Sequence, residues 1–151
     1  MSQAIWCVGI ATQDHIFGLN TMPDAPGKFR AQAFKAVGGG VGATAAVAVA
    51  RLGGAVALLT RLGADAIGEA IVLELQNYGV ECGLVQRFNG RCSPISAVLV
   101  DRAGERLIVN YQDPAMPDEI DWLPAILPPD VAVVLADTRW INGSRAMLQR
   151  A

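Results

Sequence analysis

Histidine is almost missing from this chain: one residue, His15, serves 151 positions. A metal centre built from histidines is therefore excluded. Cysteine is nearly as scarce, and Cys7, Cys82 and Cys92 are odd in number and form no Cys-x-x-Cys pair. They read as reduced thiols, which points to a cytoplasmic protein. Charge is sparse as well, at 17% of residues, and no two lysines or arginines are adjacent. With a net charge of −2, phosphate neutralisation is a poor mode of recognition, and nucleic acid is excluded as a partner. Long apolar runs are lacking. The stretch from Ala36 to Ala50 is mostly Gly and Ala and is cut by Arg51, so no bilayer span and no membrane partner are expected. No basic segment leads into an apolar core and cleavage site at the N-terminus, so secretion is not indicated.

Hydrophobic residues, by contrast, make up 52% of the chain. That content suits one domain whose sheet is covered on both faces. Ala4 to Thr12 (AIWCVGIAT) reads as a buried strand ending in Gln13, Asp14 and His15. Met22 to Gly27 is a loop, and Lys28 to Val37 alternates as a half-exposed strand does, with helix as a competitor. Gly38, Gly39, Gly40 and Gly42 break the pattern ahead of a helix over Ala43 to Leu52. Ala55 to Leu62 is the next strand, and Ala66 to Tyr78 the next helix. Ser93 to Asp101 and Glu105 to Tyr111 form a hairpin around Arg102, Ala103 and Gly104. A short helix is expected around Asp118 to Ile126 and a fully buried strand at Val131 to Ala136. A last helix is expected to open near Ser144, with the final residue, Ala151, still inside it. Alternating strands and helices define an α/β fold, and the hairpin reads as an inserted flap.

Four features could carry chemistry. Glycines at a helix start let a ligand approach the backbone, where unpaired N–H groups face it, although a plain strand-to-helix turn needs the same residues. The cluster lacks the Gly-Lys-Ser/Thr ending of a phosphate loop. It also does not follow the first strand, where residues 9 to 14 read GIATQD, as a dinucleotide fingerprint should. A dinucleotide-dependent enzyme using Gly40, Val41 and Gly42 is the weaker rival. Asp14, at the end of the first strand, can accept hydrogen bonds from two hydroxyls, or it can cap a turn. Asp65 is expected to cap the following helix. Arg106 is a solvated charge or, on a flap, a phosphate contact.

In order and spacing these pieces resemble the ribokinase-like, PfkB-type carbohydrate kinases, ketohexokinase-like members in particular. The match runs through Val8-Gly9 with Asp14, then Gly39-Gly40, AAVAVARLG at 45–53 and RLGADAIG at 61–68. It ends with Tyr78-Gly79-Val80 and SAVLVDRAGERLIVNY at 96–111. The resemblance implies the N-terminal part of a ribokinase-like domain over residues 1–151. Its three-layer sheet is incomplete, and a small β lid is formed near 28–37 and 94–111. It also implies Asp14, Gly39, Gly40 and Thr44 as sugar-binding residues and Arg106 as a nucleotide contact. ATP and Mg²⁺ are the implied cofactors, a sugar or related polyol the small-molecule partner, and a homodimer through the lid the assembly. The family usually has asparagine where Thr44 stands, and ketohexokinase-like members have another where Val41 stands, so a different sugar or weaker binding is expected here. The family's Gly-Ala-Gly-Asp stretch, with the catalytic base, does not occur in these residues. The resemblance implies that this base lies beyond Ala151. No catalytic residue and no metal ligand is therefore assigned, and the chain alone is expected to be inactive. The alternative is a non-catalytic, truncated or degenerate relative that binds a ligand or partner.

Overall fold

Short apolar runs flanked by helical segments fold as parallel strands, because the helices cover both faces of the sheet they build. The computed structural model describes residues 3–151. In order, the elements are β1 (Ala4–Val8), β2 (Thr12–Gly18), β3 (Ala33–Gly39), α1 (Val41–Arg51), β4 (Ala55–Gly63), α2 (Ala66–Asn77) and β5 (Val85–Phe88). β6 (Ile95–Val100), β7 (Arg106–Tyr111), β8 (Val131–Ala136) and α3 (Ile141–Arg150) complete the chain. They make two four-stranded sheets, ordered β5-β4-β1-β8 and β3-β2-β6-β7. The first is parallel throughout; in the second, β2 and β6 run parallel while β3 and β7 run antiparallel to them.

Alternation along β1 and β4 divides the core into two layers. Cys7, Leu58 and Leu62 pack with Ala43 and Ala46 of α1 and Ile71 and Leu75 of α2. Trp6, Val8 and Leu59 pack on the other face against Leu123, Trp140 and Met147. The architecture is α/β and ribokinase-like, with the second sheet standing as the lid.

Several expectations are corrected. The strand read over 4–12 ends at Val8; the chain crosses to the second sheet through Gly9–Ala11, and Thr12 opens a separate lid strand, β2. Asp14 therefore lies within a lid strand, not at the end of the first core strand. Residues 28–32 are not strand. β3 begins at Ala33 and continues through Gly38 and Gly39, whose backbones pair with Gln13 and Thr12. Pairing along a ladder uses backbone groups, so the loss of side chains did not end the strand. The lid consequently has four strands rather than a flap of two or three. No helix forms at 118–126, where Pro124 has no N–H to donate and its ring crowds the preceding turn. Arg61 tethers this segment instead, donating to the Pro117 carbonyl (2.7 Å) and to Asp118 Oδ1 (2.9 Å). β8 has the expected bounds, yet it is an edge strand: Val133 and Leu135 are each 42% exposed. The last helix opens at Ile141, three residues before the expected Ser144. Ala151 is not inside it. It stands as the C-cap, and its N–H donates to the Met147 carbonyl at 3.2 Å, closing the final turn.

Asp65 caps α2 as expected, with Oδ1 accepting from Gly68 N at 2.8 Å. It also holds Ser93, whose N–H donates to Oδ2 (2.8 Å) and whose hydroxyl donates to Oδ1 (2.6 Å). Burial alone would push the Asp65 carboxyl up; the bonds from Ser93 and Gly68 and the Arg87 charge outweigh it and hold the group below its ordinary 3.8. A depressed folded value adds stability that is full above the unfolded value and lost as pH falls through the folded one. Urea midpoints should therefore fall between about pH 5 and 3 in the wild type and fall less steeply in Asp65→Asn. Parallel acid slopes for the two proteins would show that Asp65 contributes nothing.

Candidate functional site

The glycine pair and the aspartate meet through the β2–β3 ladder. Thr12 pairs with Gly39 and Asp14 with Val37, so residues 12, 14, 37 and 39 share one face of the lid. A Cβ on Gly39 would collide with the Asp14 carboxylate, so glycine is what admits that side chain. Gly40 leaves the strand with φ +92°, a left-handed conformation, and a Cβ there would press on the Ile10 carbonyl. α1 then starts at Val41, whose side chain is 62% exposed. Asp14, Gly39 and Gly40 are thus brought together, as the family resemblance implied.

Thr44 joins them indirectly. It lies exposed in the first turn of α1 and, with Gly39, lines a cavity of about 210 Å³ that also holds Val37, Val47 and Glu74; Asp14 is not among the lining residues. Arg106 stands apart. It is exposed at the far end of β7, opposite Val100, four residues along the strand from Asn110. At about 3.3 Å per residue it is roughly 13 Å from the strand position level with Asp14.

Two groups escaped sequence reasoning. The register places Ser96 of β6 beside Asp14, and Asn110 of β7 beside Ser96, where Asn110 Nδ2 donates to Ser96 Oγ at 2.8 Å. A polar row therefore crosses three strands; an asparagine inside the apolar run RLIVNY was its only trace in the sequence. The second is Asp137, just past β8. Its Oδ2 accepts from Ile10 N (2.8 Å) and Gly42 N (3.0 Å), and its Oδ1 from Arg139 N (2.8 Å). With this carboxylate already at the start of α1, a phosphate there would meet like charge, which counts against the dinucleotide rival.

A second cleft of about 300 Å³ opens where β1 and β4 end, between Gly9, Ile10, Thr60, Arg61, Arg139 and Trp140. Arg61 stacks on the Trp140 ring at 4.8 Å, and burial lowers its pKa while Asp118 opposes the shift. Ligand sites of parallel sheets lie at this carboxyl edge, and the lid adjoins it. Among the described residues, no group of three or more His, Cys, Asp or Glu is arranged to hold a metal.

A parallel sheet covered by helices, with a smaller mixed sheet beside its carboxyl edge, defines the class, and comparison with known proteins agrees. The sequence profile of the pfkB family carbohydrate kinases matches residues 2–134, and the chain belongs to that family. It is similar to fructokinase-1 of Oryza sativa subsp. japonica, 36% identical over 85 residues, covering 56% of this chain and 26% of that protein. Among crystal structures it is similar to a candidate ribokinase from Agrobacterium tumefaciens, with a TM-score of 0.83 and 31% identity over 93% of this chain and 46% of that one. It shares the fold of Arabidopsis thaliana ribokinase complexed with ribose and ATP, with a TM-score of 0.72 and 22% identity over 92% of this chain and 46% of that one. The chain thus spans about a quarter of that fructokinase and just under half of each ribokinase.

Proposed function

We propose that this chain forms the sugar-binding side of a carbohydrate kinase that transfers the γ-phosphate of ATP to a sugar hydroxyl. The observation that carries this reading is the meeting of the Asp14 carboxylate with Gly39 on the lid face, beside the exposed start of α1. A carboxylate accepts from two neighbouring hydroxyls, and paired glycines let the ring approach the backbone. Asp14 orients the acceptor sugar; Gly39 and Gly40 shape the wall; Thr44 adds a hydroxyl at its rim. The nucleotide, when bound with Mg²⁺, supplies the phosphoryl group, and Arg106 is its lid contact on this reading. Lid closure over the sugar excludes water and so protects the phosphoryl group from hydrolysis. Relatives that act on fructose or ribose make a ketose or pentose the first candidates, and Val41 and Thr44 argue for a selectivity of its own.

The lid's other face supports the proposed homodimer. Phe34, Phe17, Leu99 and Leu107 form one row across four strands, and Phe34 is 59% exposed. An apolar face of that kind suits a second copy of itself. The chain is proposed to lack transferase activity by itself, because it contains no Gly-Ala-Gly-Asp stretch. On this reading the general base is not supplied by these residues. Titrating the chain with D-fructose and with D-ribose, followed by amide NMR, tests the sugar reading. Saturable shifts should appear at Asp14, Gly39 and Gly40. Shifts confined to other regions, or none with either sugar, would reject it in favour of the non-catalytic partner-binding alternative.

A further inference from the structure

The chain enters the first lid hairpin through Gly9–Ala11 and leaves it through Gly40. Both crossings are held by one side chain from 95 or more residues away, since Asp137 Oδ2 accepts from Ile10 N and Gly42 N together. α1 needs such a partner: its N-cap, Gly40, makes no side-chain cap bond, so the first-turn donors have no local acceptor. Asp137 is itself fixed at both backbone groups. Its N–H donates to the Val8 carbonyl (3.0 Å), and its carbonyl accepts from Ser144 Oγ (2.7 Å). Gly9 makes room for it, since a Cβ at that position would run into the carboxylate.

We infer that Asp137 is the positioning residue of the lid hairpin, setting where Asp14 and Gly39 stand relative to the core sheet. It touches neither of them; it acts through the two crossings, four residues before Asp14 and three after Gly39. A carboxylate is required. Three N–H groups converge on its two oxygens, so an asparagine in either flip turns its NH₂ toward at least one N–H. The step from hairpin placement to sugar affinity rests on the proposed function; hairpin placement itself does not.

Two variants disturb the same contact from opposite sides: Asp137→Asn removes an acceptor, and Gly9→Ala pushes a Cβ into it. Amide hydrogen exchange on the chain should show protection at Ile10 and Gly42 falling about tenfold or more in both, while Leu58 and Leu59 in the core keep theirs. The Asp14 carboxyl carbon and Gly39 amide resonances should shift in both variants. In D-fructose and D-ribose titrations, affinity should weaken by about threefold or more for whichever sugar the wild type binds. Unchanged exchange at Ile10 and Gly42 would overturn the inference. So would loss of protection throughout the core in both variants, or local loosening that leaves Asp14 and Gly39 unmoved. If the wild type binds neither sugar, the proposed function falls, and the exchange and resonance readouts still decide the role of Asp137.

Discussion

Asp14→Ala is expected to weaken sugar binding by about a hundredfold or more while leaving the fold intact. Each hydrogen bond to a charged group contributes roughly 1.5–3 kcal/mol, and every 1.4 kcal/mol is about tenfold in affinity. Two such bonds from neighbouring hydroxyls account for a loss of that size. Asp14→Asn keeps one acceptor and should fall between the two. Asp14 is only half-buried on a lid strand, and its removal opens no core cavity, so the thermal midpoint should move little. Calorimetric titration with the sugar that binds the wild type, alongside thermal unfolding, separates the effects. An alanine variant with undiminished affinity would mean that the sugar is held elsewhere, the second cleft being the next candidate.

Self-association is the other large effect expected. β8 offers an open ladder edge, and Val133 and Leu135 on it are each 42% exposed. Exposed β edges and apolar patches of this kind recruit other chains. The lid adds a separate apolar face around Phe34. Sedimentation should therefore give a mass at least twice the 15.9 kDa of one chain. Val133→Lys with Leu135→Lys should remove the larger species and leave the lid-mediated dimer. A compact monomer at micromolar concentration would contradict both surfaces at once.

The proportions of this fold were readable where burial repeats along the chain. Ala55–Gly63, Ala66–Asn77 and Val131–Ala136 appear nearly where their apolar periods put them, because a core strand or amphipathic helix carries its own pattern. Asp65 was readable as a cap because a cap acts over three residues. β2 was not readable: it opens at Thr12, the last residue of the apolar run that holds β1, and Gln13, Asp14 and His15 within it read as a polar strand end. β5 escaped because four residues with Gln86 and Arg87 among them carry too little pattern.

By itself, then, the order of residues determined the layering and the cap at Asp65. Local hydrogen bonds and side-chain periodicity suffice for those. Tertiary structure alone decided that Asp14 rides on the lid, that Ser96 and Asn110 extend its row, and that Asp137 closes over the start of α1. These depend on strand register and on contacts between residues far apart in the chain, and no local pattern encodes which distant backbone a carboxylate will meet.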